Sequence, residues 1–175
     1  MDNVEFLILR NLLHNEEYVR KVIPFLKADY FEDFNQKVVF EEISKFVGEY
    51  NQPTTKEILC IEVEKRSDIN DSQFKELTDL IGNLDNDPTD FEWLVNTTEK
   101  WCRDRAIYLA LMESIQLADG KDDKKGRDAI PSILSDALAV SFDTHIGHDY
   151  LQDYEERYES YHRKEDKIEF DLEYF

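Results

Sequence analysis

Basic residues are scarce in this chain. Its 175 residues include 40 aspartates and glutamates but only 21 lysines and arginines, which gives a formal net charge of -19. Proteins that bind nucleic-acid backbones or anionic membranes draw most of their affinity from lysine and arginine. The composition therefore argues against either surface as a direct ligand of this chain, and it favours basic partners.

Cysteine and long apolar runs are also scarce. The two cysteines, Cys60 and Cys102, cannot form a disulfide framework and lie among apolar helical positions, so we expect buried thiols in a reducing compartment. No apolar run reaches the length of a membrane span. Asp2 and Glu5 stand where a secretory signal would be basic. We therefore expect a cytoplasmic protein that makes no membrane contact.

Glycine occurs only five times, and no phosphate-binding loop G-x-x-x-x-G-K-[ST] or dinucleotide fingerprint is present. His145 and His148 have the one metal-like spacing, but no cysteine lies near them and the neighbouring carboxylates are scattered. We therefore predict no catalytic residue, no cofactor-binding residue and no metal ligand in this chain. A small enzyme built around the two histidines would instead contain bound metal.

The first half of the chain has apolar residues at helical spacing, separated by cap and break signals. The predicted helix starts are the capping patterns Asp2 to Glu5, Asn15, Thr54 to Glu57, and Asn70 with Gln73, and the predicted breaks are Pro24, 51–53 and 85–88. No stretch alternates as a strand would, and the connections are short. The sequence predicts an all-α fold with a compact helical bundle over residues 1–88.

Residues 89–141 read as two antiparallel helices joined by a charged loop. The first arm covers about 89–118 and ends near Gly120, a residue favoured at helix ends. The second arm has apolar residues at helical spacing from Ile130 to Ser141. Asp128 is the expected N-cap of this arm, and Pro131 fits its first turn. We predict a helical hairpin over residues 89–141.

The first arm carries two apolar stripes in its C-terminal half. One stripe contains Trp101, Leu109 and Met112, and the other contains Ile107, Leu111 and Ile115. A helix covered on one side needs only one stripe, so the second indicates another contact, for example a second copy of the chain. The predicted subunit interface comprises Ile107, Leu111, Ile115, Ile130, Ile133, Leu134 and Leu138. A helix pair inside one monomer explains the same spacing, and the pattern leaves both interpretations open.

The chain after the hairpin has a different composition. A polar linker is predicted at 142–149, followed by a linker helix at 150–164. One face of this helix carries Leu151, Tyr154, Tyr158 and Tyr161. We expect this face to dock on another protein surface, because a lone helix cannot bury it, although folding back on the bundle would also cover it. Residues 165–175 alternate apolar and charged side chains, which is typical of a strand.

Three groups of segments resemble one family, the replicative hexameric DNA helicases of the DnaB type, and most closely the version carried by T4-like bacteriophages. The segments are WLVNTTEKWCRDRA at 93–106; AIPSILSDALAVSFD at 129–143 with GHDY at 147–150 and DYEER at 153–157; and, more loosely, DYF at 29–31, VFEEI at 39–43 and PT at 53–54. The resemblance spans nearly the whole chain.

This resemblance implies the N-terminal domain of such a helicase with its linker helix. In that family a hairpin projects from the helical bundle, hairpins of neighbouring subunits pair into dimers, and the domains form a collar on a hexameric ring. The linker helix with its face of Leu151, Tyr154, Tyr158 and Tyr161 would then dock on the ATPase domain of a neighbouring subunit. Primase and the helicase loader are the expected partners. ATP, magnesium and single-stranded DNA are bound by an ATPase domain that unwinds DNA in the 5′ to 3′ direction. No P-loop precedes Phe175, so we expect residues 165–175 to begin that domain and the helicase activity to lie outside this chain.

A different class of function also fits the composition. A stand-alone acidic helical adaptor, or a protein that mimics the charge of DNA to block a basic partner, would need the same negative surface. We expect the C-terminal region to discriminate between the two hypotheses, because a complete adaptor should not end in a half-strand after an uncovered tyrosine-rich helix, whereas a fragment would.

Overall fold

The computed structural model describes residues 4–120 and 126–142, so the predicted linker helix, the terminal strand and His145/His148 lie outside the description. Within these two ranges the chain forms seven α-helices and no strand, which confirms the all-α prediction for this part. The helices are α1 (Val4–His14), α2 (Glu16–Val22), α3 (Phe34–Tyr50), α4 (Lys56–Glu64), α5 (Asp71–Gly82), α6 (Phe91–Ala118) and α7 (Ile130–Leu138). Three 3-10 turns accompany them, at Ile23–Phe25, Ala28–Tyr30 and Arg127–Ala129.

Several helix ends follow from single residues. The Asn15 side chain accepts a hydrogen bond from the Tyr18 backbone N–H and caps α2. Asn70 and Gln73 form the predicted reciprocal capping box of α5. Asn51 ends α3 in a left-handed conformation with φ 52°, which asparagine tolerates better than most residues. These local signals set the boundaries of the bundle helices.

Two cap predictions were wrong, each because the helix starts at a different residue from the one expected. Thr55, not Thr54, caps α4 by accepting from the Ile58 backbone N–H, while Thr54 is buried with its hydroxyl unpaired. Asp128 lies inside the Arg127–Ala129 turn, which leads directly into α7, so no side chain caps that helix. Pro131 does occupy the first turn, as predicted.

The bundle core is a continuous cluster of buried aliphatic and aromatic side chains. Its fully buried members include Ile8, Leu9 and Leu12 of α1, Tyr18 and Val22 of α2, Ile43 of α3, Leu59 of α4, Leu77 and Ile81 of α5, and Leu94 of α6. Helix α3 packs against α1, α4 and α5, and α6 packs against α1, α2 and α7. The core therefore joins the first five helices to α6, and it continues through Ala106 and Ala110 to Ala137 of α7.

Helix α6 is fixed to the bundle by a buried polar contact as well as by apolar packing. The Tyr18 hydroxyl lies 2.6 Å from the Thr98 hydroxyl, and Thr98 in turn donates to the Leu94 carbonyl oxygen. One turn further on, the Trp101 ring meets the Tyr30 ring edge-on, with centroids 6.0 Å apart. Both contacts lie in the first half of the helix.

The buried side of α6 consists largely of small residues spaced four apart. Thr98, Cys102, Ala106, Ala110 and Ser114 are all buried. Residues at this spacing lie on one side of a helix, and small side chains let neighbouring helices approach closely. Between Thr98 and Ser114 the larger apolar residues of α6 are therefore half-buried or exposed, whereas Leu94 and Leu117 near its two ends are buried.

Replacing Tyr18 with phenylalanine should lower the free energy of unfolding by about 1 kcal/mol, because a buried hydroxyl pair is lost while the Thr98 hydroxyl keeps its carbonyl partner. Chemical denaturation would measure the change. Tyr50→Phe is the matched control, since Tyr50 is exposed, and it should leave stability unchanged. An equal stability of Tyr18→Phe and the wild type would show that the hydroxyl contact does not hold α6.

Cys102 should resist thiol reagents in the native state. Burial raises the pKa of the Cys102 thiol to about 12, so at pH 8 only roughly one molecule in ten thousand carries the reactive thiolate. A Cys60→Ser variant leaves Cys102 as the sole cysteine, and we expect it to react with an aromatic disulfide at least about a thousandfold more slowly than free cysteine. Guanidinium should restore the rate. Rapid reaction in native buffer would mean that α6 separates from the bundle.

Candidate self-association surface

Helix α7 lies along the C-terminal half of α6, and the chain then returns to the first half. Arg103 of α6 donates to the Val140 carbonyl oxygen at 3.1 Å. The Glu99 carboxylate accepts from Arg103 at 3.0 Å and from the Ser141 hydroxyl at 3.1 Å. Ser141 thus lies beyond the end of α7 rather than inside the predicted second arm. These contacts connect the end of the described chain with the middle of α6.

Phe142, predicted as the first linker residue, is buried. Its ring stacks on Phe25 with centroids 4.7 Å apart. The rest of the predicted 142–149 linker lies outside the described residues. Phe142 therefore belongs to the packed part of the molecule.

A group of large apolar side chains is exposed on α6. Tyr108, Leu111, Met112 and Ile115 follow the spacing i, i+3, i+4, i+7 and so share one side of the helix. Between 43% and 56% of each residue is accessible to solvent. We call these four residues the α6 face. A row of large apolar residues at this exposure is unusual for a helix in a soluble domain and marks a candidate contact surface.

The helix segment that carries the α6 face is depleted in charge. Among the thirteen residues from Ala106 to Ala118 only Glu113 is charged, whereas 35% of the whole chain is charged. Two copies of a chain with net charge -19 repel each other over most of their surface. The α6 face is therefore a region where two copies can approach with little electrostatic cost.

The seven predicted interface residues fall into two groups by exposure. Leu111, Ile115 and Leu138 are exposed in the single chain. The other four are half-buried: Ile107, Ile130, Ile133 and Leu134. Three of these four, Ile107, Ile133 and Leu134, pack against the core cluster. Their assignment to a subunit interface stays a prediction. The docking face Leu151, Tyr154, Tyr158 and Tyr161 lies outside the described residues.

Sequence reasoning left Tyr108 out and grouped Met112 with the stripe facing the chain's own domain. The structure places both on the exposed α6 face, although Met112 also borders a groove described below. The i, i+3, i+4, i+7 spacing of Tyr108, Leu111, Met112 and Ile115 was visible in the sequence. What the sequence did not show was that the small residues of α6 occupy the packed side.

A groove of about 660 Å³ runs between the Ala28–Tyr30 turn, the start of α3, α6 and α7. Phe31, Leu109 and Ile133 contribute apolar lining. Lys37 at its edge is already paired with Asp29 at 2.6 Å, which raises the pKa of the lysine. Lys27, Glu113 and Asp136 also line the groove, so it combines apolar side chains with charged ones of both signs and is not a strongly charged site of one sign.

Two kinds of site are absent from the described residues, a cluster of potential metal ligands and a helix that could span a membrane. Across 4–120 and 126–142 no group of three or more metal-ligating side chains comes together. In the same ranges no helix is both long enough and apolar enough to cross a bilayer.

Comparison with known proteins identifies one relative. No family model matches the chain. A DnaB-like replicative helicase of Enterobacteria phage T4 is 34% identical to it over 174 residues, an alignment that covers 95% of this chain. The same alignment covers 36% of the phage protein, so the chain spans about a third of the length of its relative. The chain is therefore homologous to one part of a DnaB-like replicative helicase.

Proposed function

We propose that this chain is the N-terminal collar domain of a DnaB-type replicative helicase, in which it joins subunits and docks replication partners. Self-association occurs through the hairpin formed by α6 and α7, with the α6 face at the centre of the contact. The observation that carries the proposal is this exposed, charge-depleted apolar face in an otherwise highly charged chain.

Two physical arguments support a second copy as the occupant of the α6 face. Apolar burial is the main driving force of association, and protein interfaces are depleted in charged residues at their centres. The acidity elsewhere suppresses association through other surfaces and so favours this one. A basic partner would instead bind to the acidic regions outside residues 106–118.

The relationship to a replicative helicase supports the rest of the proposal. A ring helicase needs a domain that connects subunits, and this chain has a candidate surface for that task but no P-loop. In the proposed parent protein the hairpins pair and six subunits form the ring. A separate ATPase domain binds ATP, magnesium and single-stranded DNA and performs unwinding in the 5′ to 3′ direction.

Partner docking is the second proposed role. Primase and the helicase loader are the proposed protein partners of the collar, and the linker helix 150–164 is proposed to dock on a neighbouring subunit. The negative charge of the chain favours basic protein partners over direct contact with DNA.

Replacing Leu111 with aspartate tests the self-association role. We expect the wild-type chain to self-associate in sedimentation equilibrium. Leu111→Asp should weaken this association at least about a hundredfold, because a buried, unpaired carboxylate costs several kcal/mol. Leu111 is 48% exposed in the single chain, so the helical circular dichroism should be retained.

The matched control is Ile61→Asp. Ile61 is 52% exposed on α4, away from the α6 face in the sequence, and its replacement should leave the association constant unchanged. A wild-type chain that stays at its monomer mass of 20.8 kDa at high concentration would overturn the proposal. Loss of helical signal in Leu111→Asp would instead place this residue in the monomer's own core.

A further inference from the structure

Arg105 connects the bundle with the α6 face. Its guanidinium donates to the Tyr30 backbone carbonyl at 2.6 Å and to the Glu32 carboxylate. The Arg105 side chain is only 13% exposed, although arginine side chains are mostly exposed in proteins. It is therefore held in one position by the segment that follows the Ala28–Tyr30 turn.

The restrained guanidinium lies against a residue of the α6 face. Its central carbon is 5.1 Å from the centroid of the Tyr108 ring, within the range of a cation–π contact. Tyr108 is 51% exposed and is the most N-terminal member of the face. Arg105 thus restricts the orientation of an aromatic side chain that otherwise has few neighbours.

We infer that Arg105 is a positioning residue for self-association: it holds the Tyr108 ring ready for a second copy of the chain and extends the contact surface from Ile115 toward the bundle. This inference rests on the proposed self-association through the α6 face. It adds two residues to the seven that the sequence predicted for the interface. Tyr108 would contact the second copy, and Arg105 would hold the Tyr108 ring in position.

The advantage of such an arrangement is entropic. A free aromatic side chain loses rotational freedom when a partner covers it, and this loss weakens binding. A ring that is already restrained before the encounter loses less. Because Arg105 is itself fixed by Tyr30 and Glu32, the restraint is transmitted from the bundle to the surface.

A double-mutant cycle on self-association tests this role. Tyr108→Ala should weaken association at least about tenfold because an aromatic contact is lost. Arg105→Met should weaken it roughly 3- to 30-fold, the range that corresponds to a partly desolvated cation–π contact. The double variant should match Tyr108→Ala within about twofold, because Arg105 acts only through the ring. Sedimentation equilibrium on the full chain provides each constant.

Two additional variants separate positioning from folding. Arg105→Lys keeps the charge but loses the planar donor fork, so it should also weaken association while its thermal unfolding confirms a folded chain. Arg20→Met is the control, because Arg20 is an exposed arginine of α2 that pairs with Glu16. It should leave the association constant unchanged.

The outcomes separate this inference from the proposal on which it rests. If Leu111→Asp weakens association but Tyr108→Ala or Arg105→Met does not, the positioning role is overturned and the α6 face stands. The role is also overturned if Arg105→Met weakens association by the same factor in the Tyr108→Ala variant as in the wild type. The arginine would then act through the fold and not through the Tyr108 ring. If Leu111→Asp has no effect, self-association through the α6 face itself fails.

Discussion

The structure depends on the difference in length between α6 and the helices of the bundle. Helix α6 has 28 residues and so spans about 42 Å, whereas the helices of the bundle contain between 7 and 17 residues. The bundle covers the first half of α6, where Leu94 and Thr98 are buried. The second half has the short helix α7 along it, and a helix of 9 residues cannot enclose it on every side. An exposed apolar face is the result.

The way α6 is held follows from this difference in length. Small side chains on the packed side allow close approach, and two polar contacts fix the position along the helix axis. One is the buried hydroxyl pair of Tyr18 and Thr98, and the other is the contact of Arg105 with the Tyr30 carbonyl. Apolar packing is not directional, whereas these hydrogen bonds are. Together they determine which residues of the second half point away from the bundle.

The sequence predicted those parts of the fold that depend on neighbouring residues. The Asn15 cap and the Asn70–Gln73 capping box are set within one helical turn, and both are present as predicted. The threonine pair Thr54–Thr55 shows the limit of this reasoning, because both residues can cap and only the packing of the preceding segment decides between them. Thr54 is buried, and Thr55 is left to begin α4.

The candidate surface was predictable only in part. Leu111 and Ile115 were predicted as interface residues because large apolar side chains contribute most to an analysis of hydrophobic periodicity. For the same reason the sequence did not identify the packed side of α6, because small residues such as Ala106 and Ala110 contribute little to an apolar pattern. The role assigned to Arg105 could not be read from the sequence, because its partner Tyr30 lies 75 residues away along the chain. Long-range contacts of this kind require the fold.

The burial of Phe142 has a mechanical consequence. Its ring stacks on Phe25, and the preceding residues Ser141 and Val140 are hydrogen-bonded to Glu99 and Arg103. A force applied to the backbone beyond Phe142 would therefore act first on these anchors beside the middle of α6, while the α6 face lies further along the helix. A force on the chain after Phe142 would therefore be transmitted to the bundle and would not separate α7 from α6.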